Sequence, residues 1–540
     1  MNSRVFAPTN PAEADLPGSG RLAGLVRRVE RGFDAACGEA DNPLRQLGAL
    51  GFQLFWLVSL TGAYLYIFYD TSVSGAWTSV ERLTVDQWWA GGVMRSLHRY
   101  ASDAFALVIA AHVLRELAYG RFRHFRWYTW LTGVPTLWLA AASGVIGYWL
   151  VWDELAQFVG VAVTEWFGAL PGFGPALVRN FIAESAMSDR FFSLLVFLHI
   201  GVPLVLLLAM WVHIQRLARA RTVTSRAVGG WTFAALLALS LAAPVVSLPA
   251  ADLSRVPANV PIDWFYLAPL PAIYAVSPEA VWAAAAALTV LLGAVPWLGR
   301  RTPPPPPAKV DPDHCNGCTR CFVDCPYSAI TMAPHPSGRG EIAVVADDLC
   351  ASCGICAGAC PSSTPFRSRQ RLVSGIDLPD REVGDLRDAL GSALARSTAE
   401  GASPLVLFCC QRGAGLGPDE DAGRADGVLA FGLPCAGMLP PSFVEYALRH
   451  GAAGVMVATC PGEDCEFRLG VQWTAERLRG EREPYLRASV DRARLRTVAA
   501  AREERAGLRR ALQAFRQELS APGADAPGAE ASQRNRREST

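Results

Sequence analysis

Two apolar segments of this 540-residue chain each carry a pair of histidines at one spacing: His98 with His112, and His199 with His213. Fourteen residues of α-helix rise about 21 Å and fall about 40° short of four full turns. Each segment, as a helix, therefore presents two imidazoles on nearly one face, one toward each end of a membrane-length span. Two such helices side by side supply two His–His pairs across a hydrocarbon core of about 30 Å. A lone histidine on an apolar face is ordinarily a core residue or a helix-end hydrogen bonder. Two pairs at matched spacing are instead the ligand set for two bis-histidine haems, and a path for electrons through a bilayer.

Hydropathy places six spans near residues 46–68, 93–117, 127–151, 191–215, 229–248 and 275–298. Basic residues cluster in the N-terminal segment, in the second-to-third loop (Arg121, Arg123, Arg126), in the fourth-to-fifth loop (Arg216, Arg219, Arg221, Arg226) and after the last span (Arg300, Arg301). The other loops are acidic, with Asp70, Glu81, Asp86, Asp153, Glu154, Glu165, Glu184, Asp189 and Asp252. The positive-inside rule then puts both termini in the cytoplasm of a bacterial-type inner membrane. It also sets His98 and His199 at the outer level and His112 and His213 at the inner one. No basic-then-apolar leader is visible, and the stretch from Leu22 to Cys37 is amphipathic, suited to a membrane surface. The net charge of +1 offers nothing that would hold nucleic acid.

Glycines repeat the histidine spacing: Gly48 and Gly62 in the first span, Gly133 and Gly147 in the third. A missing side chain lets another body approach a helix closely, although small residues also serve helix–helix packing in membranes. Arg95 and Arg115 lie three residues from His98 and His112, where they suit haem propionates or snorkel to the interface. Asp103, inside the second span, is an intramembrane carboxylate and so a functional candidate.

Over roughly residues 25–299 these features resemble the cytochrome b of the cytochrome bc complexes. The resemblance rests on the two His-x13-His pairs, the two glycine pairs, Arg95, Gly147-Tyr148, and Arg190-Phe191-Phe192 opening the fourth span. In the outer loop, Trp152 through Pro171 looks like the surface helix of the quinol oxidation pocket, and Pro261-Ile262-Asp263-Trp264-Phe265 resembles its Pro-Glu-Trp-Tyr motif. The resemblance implies two b-type haems, none covalently attached, an outer quinone pocket using Asp263 and Trp264, and a homodimer. The chain departs from it at Val151, where proline is usual, at Asp263 in place of glutamate, with one extra residue after Pro261, and in a longer interval from Arg190 to His199.

Pro303 to Pro307 form an extended spacer of about 15 Å. Beyond it lie thirteen of the fourteen cysteines; Cys37, before the first span, reads as a free thiol. Cys315, Cys318, Cys321 and Cys325-Pro326 follow the C-x2-C-x2-C-x3-C-P pattern, and Cys350, Cys353, Cys356 and Cys360-Pro361 repeat it. Such thiolates wrap cubanes, and the fourth cysteine of each run ligates the other cluster. One [4Fe–4S] cluster takes Cys315, Cys318, Cys321 and Cys360; the second takes Cys350, Cys353, Cys356 and Cys325. Residues 308–366 resemble a bacterial-type ferredoxin with two such clusters.

Residues 404–500 alternate short apolar strands (404–409, 428–434, 454–459) with helical stretches (441–450, 469–479), a small α/β arrangement. Cys409, Cys410, Cys435, Cys460 and Cys465 lie at the strand ends, where such folds build sites. These segments resemble the delta subunit of methyl-viologen-reducing hydrogenase, which implies a [2Fe–2S] cluster on four of the five cysteines and a flavin-bearing partner. The family's further cysteine is Gly413 here, and its histidine is Pro461. A helical pattern runs from 480 to about 520, and a disordered tail follows.

The expected fold is thus an all-α transmembrane bundle of six spans, then an α+β ferredoxin-like domain and a small α/β domain. Its expected parts are a cytoplasmic N-terminal segment (1–44), membrane domain (45–299), linker (300–310), dicluster domain (311–366), hydrogenase-delta-like domain (367–520) and tail (521–540). No G-x-G-x-x-G segment or flavin site is visible, so the expected function is coupling the quinone pool, through haems and cytoplasmic clusters, to a cytosolic flavoprotein or dehydrogenase. The alternative is an anchor and conduit for a hydrogenase or formate dehydrogenase, without outer quinone chemistry. The direction of electron flow stays open.

Overall fold

The computed structural model describes residues 21–172, 188–257, 259–298, 305–338, 340–367, 370–413, 427–462, 465–501 and 504–520. Glu184, Arg300, Arg301, Pro303, Pro304, Glu463, Asp464 and the 521–540 tail lie outside them. The chain divides into two compact units, one of residues 17–301 and one that includes 302–540.

The first unit is helical: α1 (Arg21–Cys37), α2 (Leu47–Phe68), α3 (Ala76–Val85), α4 (Val93–Ala118), α5 (Trp127–Trp149), α6 (Glu154–Gly168), α7 (Asp189–Ile214), α8 (Arg226–Ala242), α9 (Pro269–Ala275) and α10 (Pro278–Ala294). Helices α2, α4, α5, α7, α8 and α10 fall on the six expected segments. Among the described residues, four stretches are long and apolar enough to cross a membrane: Pro43–Phe68, His124–Trp149, Asp189–Ile214 and Pro278–Trp297. Helix α8, with 17 residues, is shorter than a full span, and α4 carries Arg95, Arg99, Asp103, Arg115 and Glu116. Those charges are answered inside the unit, as apolar surroundings require: Arg95 by Glu81 at 3.4 Å, Arg99 by Asp103, Arg115 by Glu30 at 2.6 Å, and Glu116 by Arg121 at 3.3 Å.

Helix α2 lies along α4, and α5 along α7. A core of Leu50, Leu54, Phe55, Leu97, Phe105, Ala140, Leu206 and Met210 joins all four. Asp153 caps α6 by accepting from the Ala156 N–H, and its second oxygen accepts from Leu248 N–H. Leucines at 22 and 25, Val29 and Phe33 keep α1 apolar on one exposed face. Its other face is anchored by buried Glu30, which accepts from Arg115 Nε and the Tyr119 hydroxyl.

The second unit combines two antiparallel pairs with a parallel sheet. Strand β1 (Lys309–Val310) pairs with β4 (Ile376–Asp377), and β2 (Ile330–Pro334) with β3 (Glu341–Val345). The β1–β4 pairing carries the dicluster segment past residue 366, and one core runs from Ala308 to Val490. The sheet has the order β6 (Val428–Leu433), β5 (Leu405–Cys410), β7 (Gly454–Thr459), β8 (Leu495–Ala499), all parallel. Every β5 residue is buried, as expected of a central strand with both faces covered. The helix expected beyond 480 begins only at Arg505; β8 intervenes, because alternating Leu495, Thr497 and Ala499 extend a sheet edge left open by β7.

Candidate electron-transfer sites

The α2–α4 and α5–α7 pairs bring the four histidines together as two couples. The ring centres of His98 and His199 lie 6.2 Å apart, and those of His112 and His213 6.5 Å apart. Two metal–imidazole bonds of about 2.0 Å, each extended about 1.1 Å to the ring centre, give about 6.2 Å. Both couples therefore fit one iron between two imidazoles.

The neighbouring helix fixes the rings of His98 and His199. His98 Nδ1 donates to Val58 O at 3.0 Å, and His199 Nδ1 to Ser143 O at 3.1 Å. A carbonyl only accepts, so the proton sits on Nδ1 and Nε2 keeps the lone pair a metal needs. His213 Nδ1 lies 3.4 Å from Thr132 Oγ1. Each expected glycine backs one imidazole. A Cβ on Gly62 would stand 2.9 Å from His98 Cε1, on Gly147 2.9 Å from His199 Cε1, on Gly133 3.1 Å from His213 Cε1, and on Gly48 3.9 Å from His112 Cε1.

The arginines are more committed than their spacing suggests. Arg95 donates to Thr84 at 2.5 Å and to Ser247 at 2.8 Å besides pairing with Glu81. Arg115 holds Glu30, while its Nη2 is buried without a hydrogen-bond partner, a donor suited to a propionate.

Asp263 is partly buried, and both its carboxylate oxygens are engaged. Its Oδ1 accepts from the Phe265 and Tyr266 N–H groups at 2.7 Å each, and its Oδ2 from the Tyr148 hydroxyl at 2.5 Å. Arg99 reaches Asp263 at 3.4 Å, Tyr148, and Asp103. One guanidinium thus ties both candidate carboxylates together beside His98. Sequence reasoning passed over Arg99; its i,i+4 spacing to Asp103 was the available signal. Trp264 is 72% exposed and joins none of these contacts.

In the second unit, Cys315, Cys318, Cys321 and Cys360 line one pocket. Burial, with Cys360, Cys318 and Cys315 close by, pushes the Cys321 thiol up to about 12. Cys325, Cys350, Cys353 and Cys356 form a second neighbourhood; burial raises Cys353 and Cys356, and the other three members add to the effect on Cys356. Neutral thiols gain nothing from such crowding, whereas a shared cationic centre deprotonates and holds them. The two runs fold alike. Gly317 and Ser352, each two residues past the first cysteine, have positive φ, as do Thr319 and Gly354, each four past it. Backbone N–H groups point at sulfur, from Ala329 to Cys325 at 3.2 Å and from Ala308 to Cys350 at 3.4 Å.

The five remaining cysteines separate by strand alternation. Cys410 shares a sheet face with Val406 and Phe408 and with Cys460 and Cys465. Cys409 points to the other face, among Leu405, Leu407 and Leu512 of the last helix, and bonds to Phe431 O at 3.6 Å. The thiols of Cys410, Cys435, Cys460 and Cys465 hydrogen-bond one another; these bonds hold Cys410 and Cys465 down and push Cys435 and Cys460 up. Four thiols gathered at three strand ends are the donor chemistry of an iron–sulfur centre. Gly413 lies against Cys460, where a Cβ would meet its N at 3.0 Å, so a cysteine there would have to displace backbone. Cys37 is exposed, its thiol donating to Phe33 O.

Comparison with known proteins divides the chain along the same lines. The family described as cytochrome b/b6/petB matches residues 42–221, the 4Fe-4S dicluster domain 314–364, and the delta subunit of methyl-viologen-reducing hydrogenase 405–523. Cytochrome b6 of Tupiella akineta is 32% identical over 175 residues, 32% of this chain and 80% of the relative. Cytochrome b of Rhodobacter capsulatus is 32% identical over 159 residues, so the chain spans only 35% of that relative's length. A solved structure of a hyperthermophilic respiratory Complex III aligns with 51% of this chain and 81% of its own, at 18% identity and a TM-score of 0.40.

Proposed function

The chain belongs to the cytochrome b/b6 family, and from that premise we propose that it is the membrane redox subunit of a quinone-linked oxidoreductase, joining the quinone pool to a cytosolic flavoprotein or dehydrogenase. That it is a multi-pass membrane protein with an electron-transfer role, carrying b-type haem and iron–sulfur clusters, follows from the family and the dicluster domain.

The finer reading is a chain of centres. His98 with His199, and His112 with His213, would hold two b haems, which would supply a path for electrons across six spans of a bacterial inner membrane. The cytoplasmic tail continues through two [4Fe–4S] clusters to a [2Fe–2S] centre on Cys410, Cys435, Cys460 and Cys465. The observation that carries this reading is the fit of both imidazole couples to a shared iron, 6.2 and 6.5 Å between ring centres. When bound, the groups supply one-electron redox chemistry; the chain's own residues orient the imidazoles and exclude water. Each electron crossing the membrane field is worth about 2.3 kcal/mol per 100 mV. A homodimer, as in the cytochrome bc complexes, belongs to the same reading.

At the outer face, Asp263 is the proton acceptor of a quinol pocket, with Tyr148 donating to it and Arg99 holding both. A second reading draws on the same network. Because both oxygens of Asp263 are already engaged, the membrane half would act as a conduit for a hydrogenase or formate dehydrogenase, with no outer quinone chemistry. Asp263→Asn separates the two. A quinol-linked reaction loses at least tenfold in the rate of haem reduction by quinol; an unchanged rate leaves only the conduit. Two b-type components titrating separately are expected, and a preparation with a single haem would remove the double-couple assignment.

A further inference from the structure

The two cysteine-rich regions of the second unit meet through a contact with a glycine on each side. Helix Ile355–Ala359, which carries Cys356, packs on the turn Ala436–Met438 directly after Cys435. A Cβ on Gly358 would collide with Gly437 O and stand 2.9 Å from Met438 C. On Gly437 it would stand 2.9 Å from Ile355 Cγ1. Glycine on both sides lets two backbones touch where two ligand loops face each other. Cys353 and Cys435 are close enough to interact electrostatically.

Arg477 straps this contact. Its side chain is 1% exposed. Its Nη1 donates to Gly437 O at 2.9 Å, and its Nη2 to Asp324, the residue before Cys325. Its Nε is buried with no partner. Asp324 is shared with Arg482 at 3.1 Å, and Arg482 is answered in turn by Glu476 at 3.3 Å nearer the surface. A buried arginine is expensive to desolvate, and replacing such a pair by apolar side chains is often neutral or stabilising. Its cost here is met at one place, between two sets of thiolate ligands, where a fixed positive charge favours the reduced, more negative state of either centre.

We propose that Arg477 is the positioning residue of an electron junction between the Cys325/Cys350/Cys353/Cys356 site and the Cys410/Cys435/Cys460/Cys465 site, strapping the two ligand loops together and compensating the charge of the transferred electron. The inference rests on the iron–sulfur reading proposed above. In the step, one electron leaves one reduced centre and enters the other; no bond forms or breaks and no proton moves.

The test is redox-poised electron paramagnetic resonance on the full-length protein in detergent, with iron content measured alongside. Arg477→Met is expected to lower the reduction equilibrium constant of the C-terminal centre about tenfold, which is about 59 mV for a one-electron couple. It is also expected to weaken the magnetic interaction between the two centres. Arg477→Lys keeps the charge and restores the potential. Arg479→Met, on the same helix but 58% exposed and paired with Glu481, leaves both readouts unchanged. An Arg477→Met protein with full iron, unshifted potentials and undiminished interaction overturns the inference and spares the iron–sulfur reading. If Arg477→Met fails to assemble, Arg477→Lys decides: a preserved potential supports the inference, and a tenfold loss overturns it. Wild-type protein without iron at the C-terminal site overturns the reading and the inference together.

Discussion

Replacing the four glycines behind the imidazoles, one at a time, by alanine grades the haem sites by a distance already fixed in the fold. Carbon atoms rest about 3.5–4.0 Å apart at contact. The new Cβ of Gly62→Ala would stand 2.9 Å from His98 Cε1 and 3.3 Å from its Nδ1. The ring cannot simply retreat, because its Nδ1–H is bonded to Val58 O and borders Thr61 Oγ1 at 3.2 Å. Overpacking of this kind costs about 1–3 kcal/mol. Alanine recovers about 1 kcal/mol of helix propensity over glycine. The net penalty is then about 0–2 kcal/mol, up to roughly thirtyfold in occupancy of the ligated state. Gly147→Ala, also at 2.9 Å, should match it at His199; Gly133→Ala at 3.1 Å should be milder; Gly48→Ala at 3.9 Å meets no overlap and should be neutral or stabilising. Redox titration of the haem α-band separates the outer and inner components in each variant. The outer component should weaken or shift in the first two variants, with the inner one spared. Equal damage from Gly48→Ala and Gly62→Ala would refute this account of the glycines.

Other expectations follow from the same geometry. Cys410→Ser should abolish the C-terminal iron–sulfur signal while Cys409→Ser keeps it, as read by iron content and paramagnetic resonance, because the two thiols face opposite sides of β5. Glu30→Gln leaves the buried Arg115 guanidinium only its 3.4 Å contact with Glu116, a loss of up to about 3–5 kcal/mol for a buried pair, so limited proteolysis should cut α1 faster. Burial holds Asp377 up at about 7 against an ordinary 3.8. The folded state then keeps a proton that the unfolded chain releases, so this group's contribution falls as pH rises from about 4 to 7. The protection factor of the Val383 N–H, which Asp377 accepts, should fall over that window, and Asp377→Asn should flatten the trend.

The parts legible in the sequence were those fixed by periodicity. Histidine pairs fourteen residues apart can meet only across neighbouring helices, and the glycines at the same interval announced the opposing helices. Strand β5 held the choice between Cys409 and Cys410 in its twofold alternation, but only the pairing of β5 with β6 and β7 told which face the other thiols occupy. Helix Val383–Ala399 and strand β8 escaped notice because their patterns are weak and their burial is settled by distant partners. Arg477 left no local trace: its partners Asp324 and Gly437 are 153 and 40 residues away.

Charge placement shows why the membrane half resists a hydropathy reading alone. Helix α4 supplies His98 and His112, yet its five charges keep it from passing as a span on composition. Four of the five lie beside a histidine couple, Arg95 and Arg99 flanking His98 and Arg115 and Glu116 following His112, and the fifth, Asp103, pairs with Arg99. Charges in apolar surroundings need partners, and besides Asp103 on α4 itself these come from outside the helix, from Glu81 and Asp263 at one end and from Glu30 and Arg121 at the other. The amphipathic helix α1 is therefore more than a surface float, since it brings the carboxylate that neutralises Arg115. Losing Glu30 should then disturb the inner haem couple and leave the outer one intact, a selectivity that a purely lipid-binding helix would not produce.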